Sequence, residues 1–148
     1  MWCSKVLVAY DGSSPSERAL SLARSIAQQD QAVELVFIHV IKLYSTGSAE
    51  VILDKVMVNE AAAIQAKLQA AADLVPNNAH VHVLKGNSPA ELIIKSAREE
   101  NCDLIIMGSR GQGGVKGYLG SVSYSVVQQS PITVLIAKDA IRKEGRSD

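Results

Sequence analysis

The feature that most constrains the fold is the regular alternation of short apolar runs with longer stretches of helical periodicity. The apolar runs have strand length, and three of them (VLVAY, LIIM and TVLIA) are almost continuously apolar. Such runs are typical of strands that are buried on both faces of a parallel sheet. The chain therefore has five predicted strands, over Lys5–Tyr10, Val33–Ile41, His80–Leu84, Asp103–Met107 and Ile132–Ala137.

The segments between these runs carry helix signals. In Ser14–Glu17 (SPSE), Ser14 is the predicted N-cap, proline takes the first helical position, and glutamate is placed to close a capping box. The same signal recurs in Ser88–Glu91 (SPAE). A longer, alanine-rich helix is predicted over about Ala49–Leu74, and a last helix over about Ser121–Gln129.

The resulting order, βαβαβαβαβ, predicts a single α/β domain with a parallel sheet, right-handed crossovers and helices on both faces. Five strands in this arrangement favour the doubly wound order 3-2-1-4-5. In such sheets ligands bind beyond the carboxyl ends of the strands, at the point where the winding reverses. Here that point lies between strands 1 and 4, so Ala9, Tyr10 and Asp11 are expected to face Met107 and Gly108.

A glycine-rich segment, GSRGQGGVKGYLGS (residues 108–121, here called the glycine loop), leaves strand 4 at this point and contains six glycines. Glycine allows another group to approach the backbone closely. The loop ends at the N-terminus of the last helix, where unpaired N–H groups and partial positive charge suit phosphate. The hydroxyls of Ser121 and Ser123 and the cations of Arg110 and Lys116 add donors. The loop therefore predicts a phosphate-bearing ligand.

Each of these residues also has a purely structural interpretation. Asp11 before a glycine is ordinary turn chemistry, and Gly108 is equally a glycine at a strand end. Gly120 with Ser121 is consistent with a simple helix start. Arg110 suits a solvated loop charge as well as a ligand contact. Their occurrence together, at the reversal of the winding, favours a binding site.

The widespread phosphate-binding motifs do not match. A Walker A loop needs Gly-Lys-Ser/Thr in succession, whereas Lys116 is followed by Gly117. The dinucleotide fingerprint belongs after strand 1, where this chain has DGSSPS. A receiver domain of this topology would carry a phospho-acceptor aspartate at the end of strand 3, where this chain has Leu84-Lys85-Gly86.

The pattern that does match lies in VAYDGS, FIHVI, PAELIIKSAREENCDLIIMGSRG, GSVSYSVV and PITVLIAK, which occur in this order. Through them the chain resembles the universal stress protein family over about residues 4–138. The resemblance implies a five-stranded fold like that of the adenine nucleotide alpha hydrolases, within a domain at 1–140 followed by a short polar tail at 141–148. It also implies a homodimer, formed by antiparallel pairing of the last strand, Ile132–Ala137.

In the nucleotide-binding branch of that family, ATP lies against a G-x2-G-x9-G-S/T loop. The resemblance places Asp11 near the adenosine, Val40 beside the adenine, the glycines and Ser123 near the phosphates, and Met107 and Val122 in the wall. The implied ligand is ATP, or ADP or AMP, with Mg²⁺ as an accompanying ion. The predicted nucleotide-binding residues are Ala9, Tyr10, Asp11, Val40, Met107, Gly108, Arg110, Gly111, Gly120, Ser121, Val122 and Ser123.

The chain departs from this loop pattern in one respect, because only eight residues separate Gly111 from Gly120 where the family has nine. Gly113, Gly114 and Gly117 have the conformational freedom to absorb the deletion. A shorter loop that changes the shape of the triphosphate site would instead favour AMP or ADP, or abolish nucleotide binding.

Three functions therefore remain. The first is a nucleotide-binding regulatory module of the stress response with slow or absent hydrolysis, because Asp11 is the only acidic side chain that the pattern places in the crevice. The second is a dimeric interaction protein without a nucleotide, and an adenine nucleotide released from the denatured protein would distinguish it from the first. The third is a true ATPase, which predicts multiple turnovers that disappear with Asp11→Ala.

Composition excludes several other classes. Fifteen basic and fifteen acidic residues cancel, so no basic surface is expected to attract nucleic acid or an anionic membrane. The longest strongly apolar run, Val33–Ile41, is well short of the roughly 20 residues of a membrane helix. Without a signal-peptide pattern, Cys3 and Cys102 are expected to be reduced and buried in a cytoplasmic protein.

The histidines give no catalytic signal. His39 lies within an apolar strand and is predicted to be a hydrogen-bonded structural residue. His80 and His82 share one face of strand 3, but no third or fourth metal ligand accompanies them. The positions of Trp2 and Tyr118 are left open by the sequence.

Overall fold

The structure is a computed structural model that describes residues 2–43, 55–111 and 117–139. Within them, strands and helices alternate as predicted. The strands are β1 (Lys5–Ala9), β2 (Glu34–Lys42), β3 (Ala79–Gly86), β4 (Leu104–Gly108) and β5 (Thr133–Ala137). The helices are α1 (Ser14–Gln29), α2 (Lys55–Leu74), α3 (Pro89–Glu99) and α4 (Ser121–Gln129). The predicted first turns of the second helix, 49–54, and the tail at 141–148 lie outside the described residues.

The five strands form one parallel sheet in the order β3-β2-β1-β4-β5. This confirms the predicted doubly wound order. Leu7, in the central strand, lies between Val36 of β2 and Ile105 of β4. A central parallel strand is enclosed by neighbours at both edges and by helices on both faces, which explains the unbroken apolar runs of β1 and β4.

Successive side chains along each strand enter two separate cores. One core packs the sheet against α1 and α2, and its largest members include Val6, Val8, Leu20, Phe37, Leu68, Leu104 and Ile106. The other packs the opposite face against α3 and α4, and includes Leu7, Val36, Ile38, Ile93, Ile105, Met107 and Val126. Helices therefore cover both faces, as expected of a doubly wound domain.

The start of α1 differs from the prediction by one residue. The N-cap is Ser13, not Ser14, and the Ser13 Oγ accepts a hydrogen bond of 3.3 Å from the Ser16 amide. Glu17 consequently falls one position too late to close a capping box. Its carboxylate instead binds the Tyr10 hydroxyl and the Lys67 ammonium.

Two further predicted helix starts, those of α3 and α4, are at their expected positions. The α3 helix begins at Pro89 with Ser88 as its N-cap residue, although the Ser88 side chain makes no capping hydrogen bond. The α4 helix begins at Ser121, and its N-cap is Gly120.

The cysteines and His39 behave as predicted. Cys3 and Cys102 are free, buried thiols in the two opposite cores, and burial raises the pKa of Cys102 to about 11. The His39 Nδ1 lies 2.9 Å from the Tyr10 carbonyl oxygen. Trp2 and Tyr118 are both largely exposed. Among the described residues, none of the helices has the length and apolarity needed to cross a membrane.

Candidate functional site

A cleft of about 450 Å³ opens beyond the carboxyl ends of β1, β2 and β4, where the winding of the sheet reverses. This is the position at which open α/β sheets bind ligands. All twelve residues proposed from the sequence line it. The structure therefore brings together positions that lie up to 114 residues apart, from Ala9 to Ser123.

Five further residues line the cleft and were not found from the sequence: Ser16, Ile38, Lys42, Pro89 and Ile93. Two of them had a usable signal, because Ile38 and Lys42 point to the same face of β2 as Val40. The other three had none, because the sequence alone does not state how far the N-termini of α1 and α3 extend over the cleft.

The floor of the cleft is apolar. It is formed by aliphatic and thioether side chains from both sides of the reversal point, Ala9, Ile38, Val40, Ile93, Met107 and Val122. Most of these belong to the core beneath α3 and α4, or pack against it. Such a surface suits a flat apolar ring, and the polar groups that give orientation lie around it.

Asp11 is both a turn residue and a lining residue of the cleft, the two interpretations that the sequence left open. Its Oδ1 accepts a hydrogen bond of 2.9 Å from the Ser13 amide, which is turn chemistry. Its Oδ2 is directed at the glycine loop, where a Cβ added to Gly111 would lie 2.7 Å away. The carboxylate is therefore fixed by one oxygen and lines the cleft.

The glycine loop is closed at its base by hydrogen bonds to Ser109. The Ser109 carbonyl accepts from the Gly120 amide at 2.8 Å and from the Ser123 hydroxyl at 2.6 Å. The Ser109 amide in turn donates to the Ala137 carbonyl at 2.8 Å. A serine hydroxyl has a single proton, and that of Ser123 is directed to backbone carbonyls of the loop, those of Ser109 at 2.6 Å and Gly120 at 3.0 Å.

Two of the glycines closely approach other parts of the chain. A Cβ on Gly108 would lie 2.7 Å from the Pro15 Cβ and the Ser16 amide nitrogen, so β4 meets the start of α1 without space for a side chain. A Cβ on Gly120 would lie 3.1 Å from the Arg110 Cα. Close approach within the chain thus explains these positions before any ligand is considered.

The N-terminus of α4 faces the cleft. Its first intrahelical bond joins the Tyr124 amide to the Gly120 carbonyl at 2.9 Å, so the amides of Ser121, Val122 and Ser123 precede the helical ladder. Gly120 offers no side chain to cap them. The N-terminus of α1, by contrast, is capped by Ser13. The arrangement at α4 therefore suits an anion.

The Tyr10 side chain lies in the core beneath α1 and α2, so only part of this residue faces the cleft. Burial raises the pKa of its hydroxyl, and the hydrogen bond to Glu17 raises it further, against a smaller opposing effect of Lys67. The Lys67 ammonium also lies 5.5 Å from the centre of the ring. The aromatic group is therefore held by the protein and stays neutral.

Of the two cationic residues in the glycine loop, Arg110 is described by the structure and Lys116 is not. Arg110 lines the cleft, and its guanidinium forms an ion pair with Asp139, just beyond β5. Lys116, Gly113 and Gly114 lie outside the described residues. Gly117 has φ of 91°, a left-handed conformation that favours glycine.

The cleft offers an apolar floor, one carboxylate and a helix N-terminus. Among the described residues that line it, Asp11 is the only acidic side chain. No group of three or more histidine, cysteine or acidic residues suited to a metal ion occurs in the described ranges. Chemically, the arrangement can hold a molecule that joins a ring, a polar linker and an anionic end.

The topology defines a doubly wound α/β domain, and the cleft at its reversal point is a candidate ligand site. Residues 3–138 match the sequence profile of the universal stress protein family, so the chain belongs to that family. The relative YxiE, a universal stress protein from Bacillus subtilis, is 34% identical over 148 aligned positions, which cover 91% of this chain and 99% of the relative.

Solved structures agree with this assignment. The protein MJ0577, whose biochemical function was assigned from its structure, superposes with a TM-score of 0.76 at 27% identity, covering 96% of this chain and all of that one. A universal stress protein determined in complex with cAMP superposes with a TM-score of 0.70 at 26% identity, covering 95% of this chain and 100% of that one.

Proposed function

We propose that the cleft binds an adenine nucleotide, with ATP as the preferred ligand, and that occupancy regulates a stress-response function. The observation that carries the proposal is the convergence of an apolar floor, the Asp11 carboxylate and the N-terminus of α4 in one cleft of about 450 Å³. A volume of this size is typical of small-molecule sites. The related protein in complex with cAMP supports an adenine-bearing ligand.

Each part of a nucleotide has a matching surface. The adenine lies on the apolar floor beside Val40, and the ribose hydroxyls donate to the Asp11 Oδ2. The phosphates accept hydrogen bonds from the amides at the start of α4, from Ser121 to Ser123, where the helix dipole favours negative charge. The ligand thus spans the cleft from β2 to α4.

The proposed site binds without fast hydrolysis. Phosphoryl transfer draws on carboxylates that hold Mg²⁺ and on a group that positions the attacking water. Asp11, the single acidic side chain among the described lining residues, is placed for the ribose rather than for a terminal phosphate. We propose that Mg²⁺ is held by the phosphates of ATP, since the described lining has no second carboxylate for it. Hydrolysis of the bound ATP is then slow.

The regulatory unit is proposed to be a cytoplasmic homodimer joined through β5. This strand is at one edge of the sheet, and its side chains from Thr133 to Ile136 are exposed or half-buried. An edge strand of this kind presents unpaired backbone groups to a second strand. Tyr124 and Val127 of α4, the helix that precedes β5 in the chain, are exposed apolar residues available to the same contact.

A binding experiment tests the proposal. Purified protein is denatured and the supernatant is analysed for adenine nucleotides, and emptied protein is titrated calorimetrically with ATP, ADP, AMP and cAMP in the presence of Mg²⁺. We expect saturable binding, with ATP tightest. Tighter binding of AMP would instead identify a monophosphate site.

Matched variants locate the binding. Val40→Glu places a charge on the apolar floor and is expected to abolish binding, whereas Val58→Glu makes the same change at an exposed position of α2 and preserves it. Protein that contains no nucleotide and gives no heat with any of the four ligands would favour the alternative function, a dimeric interaction protein.

A further inference from the structure

We propose that Asp139 sets the preference of the cleft for nucleotides according to their number of phosphates, because it holds Arg110 in an ion pair that ligand phosphates must displace. The inference rests on the proposed function, since it takes the ligand to be an adenine nucleotide. Asp139 is then a positioning residue, which acts on the ligand through Arg110.

The backbone of Arg110 lies close to the N-cap residues of two helices, Ser13 of α1 and Gly120 of α4. Its carbonyl oxygen accepts a hydrogen bond of 3.3 Å from the Ser13 hydroxyl. On its other side, a Cβ added to Gly120 would lie 3.1 Å from the Arg110 Cα and 3.5 Å from its Cβ. The aliphatic part of the Arg110 side chain therefore begins beside Gly120, the N-cap residue of α4, close to the proposed phosphate position.

The guanidinium itself is directed to the end of β5. Its Nη2 forms an ion pair with the Asp139 Oδ2, and the two side chains are only 16% and 22% exposed. The backbones on either side of the pair are joined by the hydrogen bond from Ser109 to Ala137. Because the pair is partly shielded from solvent, salt screens it less than a surface pair.

This placement gives Arg110 two alternative anionic partners. A flexible side chain rooted at the N-cap of α4 can contact either Asp139 or a phosphate at the helix N-terminus. While Asp139 is paired, it offsets the positive charge that the guanidinium would otherwise present to a phosphate, and the pair must open before Arg110 contacts the ligand. The penalty grows with the charge of the ligand, so it is largest for ATP, smaller for AMP and absent for adenosine.

The test compares Asp139→Asn with two controls by calorimetric titration of ATP, AMP and adenosine at low and high salt. Asp139→Asn keeps the shape of the side chain and removes its charge. Asp139→Glu keeps the charge at the same place, and Asp73→Asn removes a carboxylate from the exposed C-terminal part of α2, at the opposite end of the sheet.

We expect Asp139→Asn to bind ATP on the order of tenfold tighter and AMP less than about threefold tighter, with adenosine unchanged and with the effect reduced at high salt. Asp139→Glu and Asp73→Asn should match the wild type. Unchanged or weakened ATP binding in Asp139→Asn, or an equal change for all three ligands, would overturn the inference.

A second variant keeps the inference testable if Asp139→Asn does not fold. Arg110→Gln leaves the Asp139 charge without this partner, so ATP affinity should fall further than AMP affinity; equal losses would contradict the inference. If the wild type binds ATP while these variants show no charge-dependent effect, only the inference fails. If the wild type binds none of the ligands, the proposed function fails and the inference with it.

Discussion

The amide of Gly120 donates a hydrogen bond of 2.8 Å to the carbonyl of Ser109, and this bond closes the glycine loop at its base. The Ser123 hydroxyl reinforces the closure at 2.6 Å from the same carbonyl oxygen. The C-terminal end of the eight-residue spacer between Gly111 and Gly120 is therefore fixed by hydrogen bonds that do not involve the spacer itself. The one residue by which this spacer is shorter than the family pattern lies before that fixed end.

Restoring the missing residue should consequently have little effect. Insertion of one glycine between Gly117 and Tyr118 is expected to change ATP affinity by less than about threefold, since one added residue changes the entropy of loop closure only slightly. Calorimetric titration of the insertion variant beside the wild type checks this. A change of more than tenfold would mean that the spacer itself contacts the phosphates.

Gly108 and Gly111 should differ in their effects on stability. Gly108→Ala forces a Cβ to within 2.7 Å of the Pro15 Cβ and the Ser16 amide nitrogen, and is expected to lower the free energy of unfolding by about 2–3 kcal/mol. Gly111→Ala meets only the end of the Asp11 side chain, which can shift more easily than backbone, and should cost less than about 1 kcal/mol. Urea denaturation measures both, and equal losses would refute the assignment of Gly108 to packing.

Asn77 follows α2, and its buried side chain makes hydrogen bonds to the segment between α1 and β2. Its Nδ2 lies 2.8 to 3.2 Å from three carbonyl oxygens, those of Ala27, Asp30 and Val33, which share its two protons. Asn77→Ala removes these bonds inside the protein and should lower the free energy of unfolding by about 2–3 kcal/mol. The exposed neighbour is the control, since Asn78→Ala should cost less than about 0.5 kcal/mol in the same denaturation series.

Tyr10 donates a hydrogen bond to Glu17 and also lines the cleft, and Tyr10→Phe removes only the hydrogen bond. Loss of the hydroxyl removes a hydrogen bond to Glu17 in the α1 and α2 layer and is expected to lower stability by about 1 kcal/mol. The part of Tyr10 that lines the cleft is unchanged, so nucleotide affinity should stay within about twofold. A large loss of affinity with unchanged stability would place the phenol in the binding site.

Asp103 should make stability depend on pH. Partial burial raises the pKa of this carboxyl, but hydrogen bonds from the Ser4 hydroxyl and from the amides of Lys5 and Ser4 outweigh it and hold the pKa below 3.8. A lowered folded-state pKa stabilises the protein above the unfolded pKa, and this stabilisation is lost as the pH falls through the folded value.

Asp103→Asn is therefore expected to be less stable than the wild type at pH 7, with a difference that shrinks as the pH falls below about 4. Urea denaturation between pH 7 and pH 2.5 measures the two curves. Asp73→Asn, at an exposed position, is the control and should follow the wild type. A difference that persists unchanged at pH 2.5 would rule out the charge as its source.

Much of the site was predictable because it depends on topology. Once the strands and their order are known, the carboxyl ends of β1, β2 and β4 must meet, and the residues that follow them share one cleft. This is why Asp11, Met107 and Gly120 were found from their positions, whereas Val40 was predicted only through the resemblance to the universal stress protein family. Ser16 and Pro89 were missed because their contribution depends on how closely the helix starts pack over the sheet.

Hydrophobic periodicity and chain direction were enough to predict the alternation of strands and helices, the doubly wound sheet and the place where the cleft opens. The roles of individual side chains in the cleft became clear from the three-dimensional packing. It directs Tyr10 into the core, presses Gly108 against α1 and pairs Arg110 with Asp139. These outcomes depend on distances between segments remote in the chain, which local patterns do not encode.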